Sequence, residues 1–117
     1  MVSESLVESI ATAAERIRPH VRETPLVRSE ALSASSGADV WLKCENLQVT
    51  GSFKVRGATN ALLSLPAAAR AQGVIAASSG NHGVAVAHAG HALGITVTVY
   101  VPGFASAAKV AAMRRLG

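Results

Sequence analysis

Cysteine, aromatic residues and long apolar runs are all scarce in this chain of 117 residues. Its single cysteine, Cys44, cannot form a disulfide within the chain, which indicates a reducing compartment and predicts a cytoplasmic protein. No run approaches the roughly 18 apolar residues that a membrane-spanning helix requires, so we expect no membrane partner. Aromatic residues make up 3% of the chain while 50% of it is apolar, which favours closely packed helices on a sheet over a thick aromatic core.

Neither the basic nor the metal-ligating side chains form a cluster that predicts a ligand. The formal net charge is +4, but the eleven Lys and Arg are scattered, and the densest group is Arg114 and Arg115 beside Lys109. Scattered cations are typical of a solvated surface, so we expect no nucleic-acid partner. His88 and His91 share a helix face without an acidic or cysteine ligand, so no metal site is predicted.

The second half of the chain predicts a parallel sheet. Apolar runs over 74–77 and 96–101 are each followed by a helical pattern, which ends at Leu93 in the first case and at Leu116 in the second. Such an alternation is typical of an α/β fold, in which flanking helices cover both faces of a parallel sheet. Sheets usually have about four to six strands. We therefore expect this sheet to be incomplete and the chain to be one part of a larger protein.

Shorter elements are predicted in the first half of the chain. Pro25 disfavours helix at Thr24, so the chain is expected to be extended there. A loop leads to a helix that begins at Phe53, which Ser52 is available to cap and Pro66 closes. The other predicted elements are helices over 5–17 and 29–35 and a strand over 40–44.

A turn of small polar residues opens the helix at Phe53, within the segment TGSFKVRGA that starts at Thr50. We name Thr50–Lys54 the lysine turn. Lysine is unusual at a helix start, because the first N–H groups already supply positive potential. That potential disfavours the ammonium form and would help to hold Lys54 as a neutral amine or an imine, with Phe53 as an apolar wall. The alternative is an ordinary exposed lysine.

A second turn, SSGNHG, begins at Ser78 directly after an apolar run, and we name it the asparagine turn. In open α/β sheets, ligands bind beyond the carboxyl ends of the strands, where helix N-termini attract anions. Ser78, Ser79 and Asn81 offer short donors and acceptors, and Gly80 and Gly83 permit close approach of the backbone. These features suit a carboxylate or a phenolate oxygen. The alternative is plain helix capping by Ser79 or Asn81.

Together the two turns resemble those of a known enzyme family. TGSFKVRGA is similar to the cofactor-lysine motif of threonine dehydratases, serine dehydratases and serine racemases, which use pyridoxal 5′-phosphate (PLP), and SSGNHG is similar to their asparagine loop. The segments at 24–26 (TPL), 43–48 (KCENLQ) and 101–109 (VPGFASAAK) also resemble family features, so the resemblance covers nearly the whole chain.

The resemblance implies a fold-type II PLP enzyme, with an α/β architecture like that of the tryptophan synthase beta subunit, of which this chain is the amino-terminal part. Residues 1–72 would belong to the large PLP-binding domain, and residues 73–117 would begin the small α/β domain. The remainder of the enzyme, including its phosphate loop, would lie beyond these residues.

The resemblance also implies roles for individual residues. Lys54 would hold PLP and later remove the α-proton of the substrate, while Phe53 would flank the cofactor ring. Asn81 would hydrogen-bond the 3′ oxygen of PLP, and Ser79 would act as a second acid or base on the opposite face. The substrate-binding residues would be Ser78, Ser79, Asn81 and His82.

The implied activity is that of a threonine/serine dehydratase, an ammonia-lyase that converts a hydroxy-amino acid into a 2-oxo acid and ammonia. The full-length protein is expected to be a homo-oligomer, and the 117 residues alone are expected to be inactive. Serine racemase or another fold-type II enzyme is one alternative, and a non-catalytic α/β binding module is another. The choice among threonine, serine and a modified hydroxy-amino acid stays open.

Overall fold

A computed structural model of the protein describes residues 4–117. Within that range, short 3₁₀ turns cover Arg18–His20 and Glu45–Leu47. The strands are β1 (Leu26–Arg28), β2 (Trp41–Lys43), β3 (Val74–Ala77) and β4 (Val97–Tyr100). The helices are α1 (Glu4–Ile17), α2 (Glu30–Ser36), α3 (Lys54–Ser64), α4 (Ala67–Gln72), α5 (Asn81–Leu93) and α6 (Ala107–Arg115). No helix in this range is long and apolar enough to cross a bilayer.

Strands β1 and β2 form an antiparallel pair around the short helix α2. Leu26 lies opposite Lys43, and Arg28 lies opposite Trp41. The hydroxyl of Ser29 accepts a hydrogen bond from the Leu32 N–H and caps α2, and Gly37 ends it with a φ of +70°. The predicted extended segment, helix and strand are confirmed here. The pairing of β1 with β2 was not predicted.

Strands β3 and β4 form the predicted parallel pair, connected by α5. Val74 lies opposite Val97 and Ala77 opposite Tyr100. Within the described residues, helices cover one face of this pair, because burial alternates along both strands and Ile75 and Tyr100 are 74% and 63% exposed. This agrees with the expectation that the sheet is incomplete.

The core lies mainly between α3 and α5. Val55, Ala58 and Leu62 of α3 are buried, and they pack against a face of α5 made of small side chains. The members contributed from α5 onward are Ala85, Val86, Ala89 and Ile95. Small side chains let helices and strands approach closely, which is how a core with few aromatic residues can still be dense.

Two local predictions in this region need correction. Among the described residues no side chain caps α3, whose N-cap position is Phe53, so the predicted cap by Ser52 is wrong. The Ser52 hydroxyl is instead buried without a hydrogen-bond partner in the described chain. The alanine-rich stretch after Pro66 forms α4, a helix that the sequence analysis did not predict. Alanine is the strongest helix former, and it outweighs the shortness of this segment.

Candidate active site

The lysine turn presents an amine beside an aromatic ring. Gly51 has a φ of +73°, a conformation that glycine adopts without strain, and the turn then leads into α3 at Lys54. The Lys54 Nζ lies 4.9 Å from the centroid of the Phe53 ring, within the range of a cation–π contact. Both side chains are exposed, so the amine is open to a ligand on its other sides.

The asparagine turn joins the end of β3 to the start of α5. The Ser78 N–H donates to the carbonyl of Tyr100 at 3.0 Å and so extends the sheet, and the Ser78 hydroxyl accepts from the Gly80 N–H at 3.2 Å. Among residues 4–117 no side chain caps α5, whose N-cap residue is Gly80. The capping alternative for Ser79 and Asn81 is therefore wrong, and both side chains stay exposed.

One open cleft contains residues from both turns. It has a volume of about 420 Å³, in the range of small-molecule sites, and lies between the start of α3, strand β3 and the first turns of α5. Phe53 and Lys54 line it from one side and His82 from the other. Ser78, Ser79 and Asn81 are not among its lining residues, although they belong to the same turn as His82. The remaining lining residues are Gly57, Ala58, Ala61, Leu62, Val74, Ile75, Ala76 and Val86.

A cleft of similar volume, about 430 Å³, lies on another side of the molecule. Arg18, Arg22, Lys43 and Arg56 line it, together with apolar residues of α1 and Glu23. It contains no residue of the asparagine turn and not the Lys54 amine. We therefore place the candidate site in the cleft between α3 and α5.

The two glycines of the asparagine turn have different surroundings. A Cβ atom on Gly83 would lie 2.9 Å from both the Met113 Sδ and the Ser78 carbonyl oxygen. The absence of a side chain at Gly83 therefore makes room for other atoms of the protein and not for a ligand. A Cβ atom on Gly80 would meet only the Lys109 Nζ, at 4.0 Å. The backbone at Gly80 is thus the part of the turn that remains open to a ligand.

Lys109 is a site residue that the sequence analysis assigned to the surface. Its Nζ donates a hydrogen bond to the Asn81 Oδ1 at 2.6 Å. A signal for it does exist in the sequence, because Lys109 lies in the first turn of the helix that follows β4. The carboxyl ends of neighbouring parallel strands lie at one edge of a sheet, so the segments after β3 and β4 must meet.

A polar cluster of Thr24, Lys43, Glu45 and Arg56 connects the lysine turn to the first half of the chain. Arg56, two residues after Lys54, donates from Nε and Nη2 to the two carboxylate oxygens of Glu45 at 2.9 and 2.7 Å. The Thr24 hydroxyl donates to the same carboxylate at 2.5 Å, and the Lys43 Nζ donates to the Thr24 carbonyl at 2.6 Å. The hydrogen bonds from Arg56 lower the pKa of Glu45 to about 2.

Buried hydrogen bonds of Gln48 add to this connection. Its Oε1 accepts from the Arg22 N–H at 2.8 Å, and its Nε2 donates to the Arg22 carbonyl at 2.9 Å. The segments at 22–24 and 43–48 are thereby joined to the first turn of α3. Apart from Arg22, these residues belong to segments that resemble the family and had no predicted role. In the structure, their hydrogen bonds connect the first half of the chain to the helix that begins at Lys54.

The residues of the cleft fit a PLP group. They include a primary amine, an adjacent aromatic ring and a concave space of suitable size. The hydroxyls of Thr50 and Ser52, both in the lysine turn, are buried without partners in the described chain, an exception in folded proteins that a group bound nearby would explain. The described residues contain no group of three or more His, Cys, Asp or Glu side chains that could hold a metal ion.

Comparisons with known proteins agree with this chemistry. The chain is 48% identical over 113 residues to the L-threo-3-hydroxyaspartate ammonia-lyase of a Pseudomonas species, covering 97% of this chain and 35% of that protein. It is 45% identical over 108 residues to the L-threonine ammonia-lyase of Geobacter sulfurreducens, covering 92% of this chain and 27% of that protein. The structure of maize serine racemase matches with a TM-score of 0.88 and 39% identity, over 95% of this chain and 34% of that one.

The chain spans about a third of the length of the first curated relatives that it matches. A family model described as pyridoxal-phosphate dependent enzyme matches residues 17–117, which is most of the chain. The implied cofactor and fold are therefore confirmed. The chain belongs to the family of pyridoxal-phosphate-dependent enzymes, with the fold of its type II members.

Proposed function

We propose that this chain supplies the lysine side of the active site of a PLP-dependent ammonia-lyase that acts on a hydroxy-amino acid. The cleft that contains Lys54, Phe53 and His82 is the observation that carries the proposal. The names of two relatives, an L-threo-3-hydroxyaspartate ammonia-lyase and an L-threonine ammonia-lyase, support the reaction class. The substrate is therefore proposed to be threonine, serine or a modified hydroxy-amino acid.

We also propose that residues 1–72, of which 1–3 lie outside the described range, belong to a large PLP-binding domain. Residues 73–117 would then begin a small α/β domain. The antiparallel pair and the polar cluster lie before Gly73, and the parallel pair lies after it, which supports this division. The packing of α3 on α5 crosses the proposed boundary, so the cleft would lie at the junction of the two domains.

In the proposed reaction Lys54 holds the cofactor and serves as the base. PLP, when bound, supplies an electron sink that allows the bond to the α-hydrogen to break. The Nζ of Lys54 takes up the α-proton, and the Phe53 ring covers one side of that amine. Asn81 would hydrogen-bond the 3′ oxygen of the cofactor.

The asparagine turn is proposed to bind the substrate carboxylate. Ser78, Ser79, Asn81 and His82 would contact it, aided by the uncapped N–H groups at the start of α5. The β-hydroxyl then leaves with the electron pair of its C–O bond and takes up a proton, so that the α-hydrogen and the hydroxyl are lost overall as water. The resulting enamine takes up water and gives a 2-oxo acid and ammonia. Because catalysis depends on holding the α-hydrogen near the base, the distance between the two turns determines the rate.

The lysine assignment can be tested on the complete protein encoded by the reading frame that contains this chain. We expect a visible absorbance band, and borohydride reduction followed by peptide mass analysis should label Lys54, but neither Lys43 nor Lys109. Lys54→Ala should lower the formation of 2-oxo acid from threonine and serine by a factor on the order of 10³, because the base is removed. A colourless protein would support the binding-module alternative, and a fully active Lys54→Ala variant would refute the assignment.

Serine racemase is the second candidate, supported by the likeness to the maize enzyme. Ser79 is the proposed second acid or base, and its exposed position on the asparagine turn is compatible with both activities. We expect Ser79→Ala to reduce racemisation of serine by at least about tenfold more than elimination from the L-substrate. Equal losses of both activities would argue against a dedicated role for this hydroxyl.

A further inference from the structure

We infer that Lys109 is a positioning residue that orients the Asn81 amide, so that its nitrogen rather than its oxygen faces the bound ligand. The inference rests on the proposed function, in which Asn81 hydrogen-bonds the cofactor. The inference is based on a contact between two residues that are 28 positions apart in sequence. The Lys109 Nζ on α6 lies 2.6 Å from the Asn81 Oδ1 at the start of α5.

The chemistry of the two groups determines the orientation. An ammonium group has three donors and no acceptor, so only the oxygen of the amide can face it. An amide is planar, and its NH₂ group therefore lies on the side away from Lys109. Without Lys109, rotation about the side chain would exchange donor and acceptor at little cost, and half of the orientations would present an oxygen to an anionic ligand.

The electrostatics around Lys109 favour an anionic ligand at the asparagine turn. The first turn of α5 already carries positive potential, and a cation beside it is unfavourable unless an anion binds there. The chain itself offers none nearby in sequence, because all seven acidic residues precede residue 46. Residues 46–117 contain six cations and no acid, and no ion pair of Lys109 occurs in the described residues.

The inferred role makes the asparagine turn a site for an oxygen anion, bound by a donor that Lys109 holds in place. The phenolate oxygen of the cofactor and the carboxylate of the substrate are both of this kind. Lys109 acts on them by fixing the orientation of the Asn81 amide. Its loss should therefore change the properties of the bound cofactor as well as the rate.

Two measurements on the complete protein test the inference. The first uses the protein without cofactor and records the side-chain amide ¹H–¹⁵N resonances of Asn81 by NMR. Lys109→Met keeps an unbranched side chain but removes the charge, and it should shift these resonances strongly, while Lys109→Arg should largely preserve them. Arg115→Met, which removes a charge from the exposed end of the same helix, is the matched control and should leave them unchanged.

The second measurement follows the visible absorbance of the bound cofactor as a function of pH. Lys109→Met should move the midpoint of the transition upward by about one pH unit, because an anionic oxygen takes up a proton more easily when the Asn81 donor is no longer held towards it. It should also lower kcat/KM about tenfold, and this loss should nearly disappear in an Asn81→Ala background.

The outcomes separate this inference from the proposed function. Unchanged Asn81 resonances in Lys109→Met, or an equal loss of kcat/KM in the presence and absence of the Asn81 side chain, would overturn the role of Lys109. If the resonances shift but the protein has no visible band, the amide orientation by Lys109 stands and the PLP function fails. Restoration of the absorbance midpoint by Lys109→Arg would exclude a merely structural effect.

Discussion

The lysine turn and the asparagine turn lie on opposite sides of one cleft, but different interactions hold them. The lysine turn depends on charge and hydrogen bonds, since Arg56 and Glu45 tie the first turn of α3 to the chain before it. The asparagine turn depends on close packing, since Gly83 and Gly90 bring α5 against α6 and β4 with no room for a side chain. The hydrogen bonds at the lysine turn are therefore sensitive to pH, and the packing at the asparagine turn is sensitive to the size of the side chains.

The largest predicted effect is the steric one. A Cβ atom on Gly90 would lie 2.1 Å from the Val97 Cγ2 and 2.9 Å from the Ile95 carbonyl oxygen, and a backbone oxygen cannot rotate away. We expect Gly90→Ala to lower the free energy of unfolding by about 3 kcal/mol, measured by urea denaturation. Adding Val97→Ala removes one of the two clashes and should recover part of the loss. A Gly90→Ala variant as stable as the wild type would contradict this view of α5.

Acid should weaken the other turn. The pKa of Glu45 is lowered in the folded protein from 4.5 to about 2, chiefly by the hydrogen bonds from Arg56. A carboxyl with a lowered pKa stabilises the fold above its unfolded value, and this contribution is lost as pH falls from about 4.5 towards 2. Because the Glu45 side chain is only 15% exposed, we expect a loss of about 2 kcal/mol over this range.

Comparison with Glu45→Gln isolates this contribution from the other acids. That variant keeps the shape of the side chain but cannot ionise, so it should be less stable than the wild type at pH 7 and nearly equal to it at pH 2. Glu8→Gln, on the exposed face of α1, is the matched control. A stability difference between Glu45→Gln and the wild type that does not depend on pH would show that the ion pair does not support the lysine turn.

The smallest predicted effect is a stabilisation by a second glycine-to-alanine substitution, at Gly57 on α3. Gly57 is the fourth residue of that helix, and a Cβ atom there would have nothing within 4 Å. Gly57→Ala should raise the free energy of unfolding by about 0.5–1 kcal/mol, because glycine loses more backbone freedom on folding. Thermal unfolding of Gly57→Ala and Gly90→Ala in parallel should give shifts of opposite sign, and shifts of the same sign would contradict the proposed contrast between the helices.

Local signals in the sequence were sufficient for much of the fold. Ser29 and Gly37 delimit α2, Gly94 ends α5, and the apolar runs mark the parallel strands as predicted. The family was also predicted correctly, because the two turns that carry the resemblance are continuous motifs. The roles of individual residues in the cleft stay predictions.

Features that depend on distant pairs of residues could not be predicted. The pairing of β1 with β2, the hydrogen bonds between Arg56 and Glu45, and the contact between Lys109 and Asn81 each join residues far apart in sequence. A single sequence contains no direct signal for such pairs. The apolar strands likewise do not indicate which elements cover each face of the sheet.

The packing of Gly90 against Val97 fixes the position of α5 near its end, so a small change of helix angle there moves the start of the helix most. Asn81 lies nine residues away along the helix axis, a distance of about 13 Å. A tilt of α5 by about 5° at Gly90 would displace Asn81 by about 1 Å, and a displacement of that size at a reacting group can change a rate by about a hundredfold. Under the proposed function, a substitution at Val97 would therefore change the rate through the position of α5.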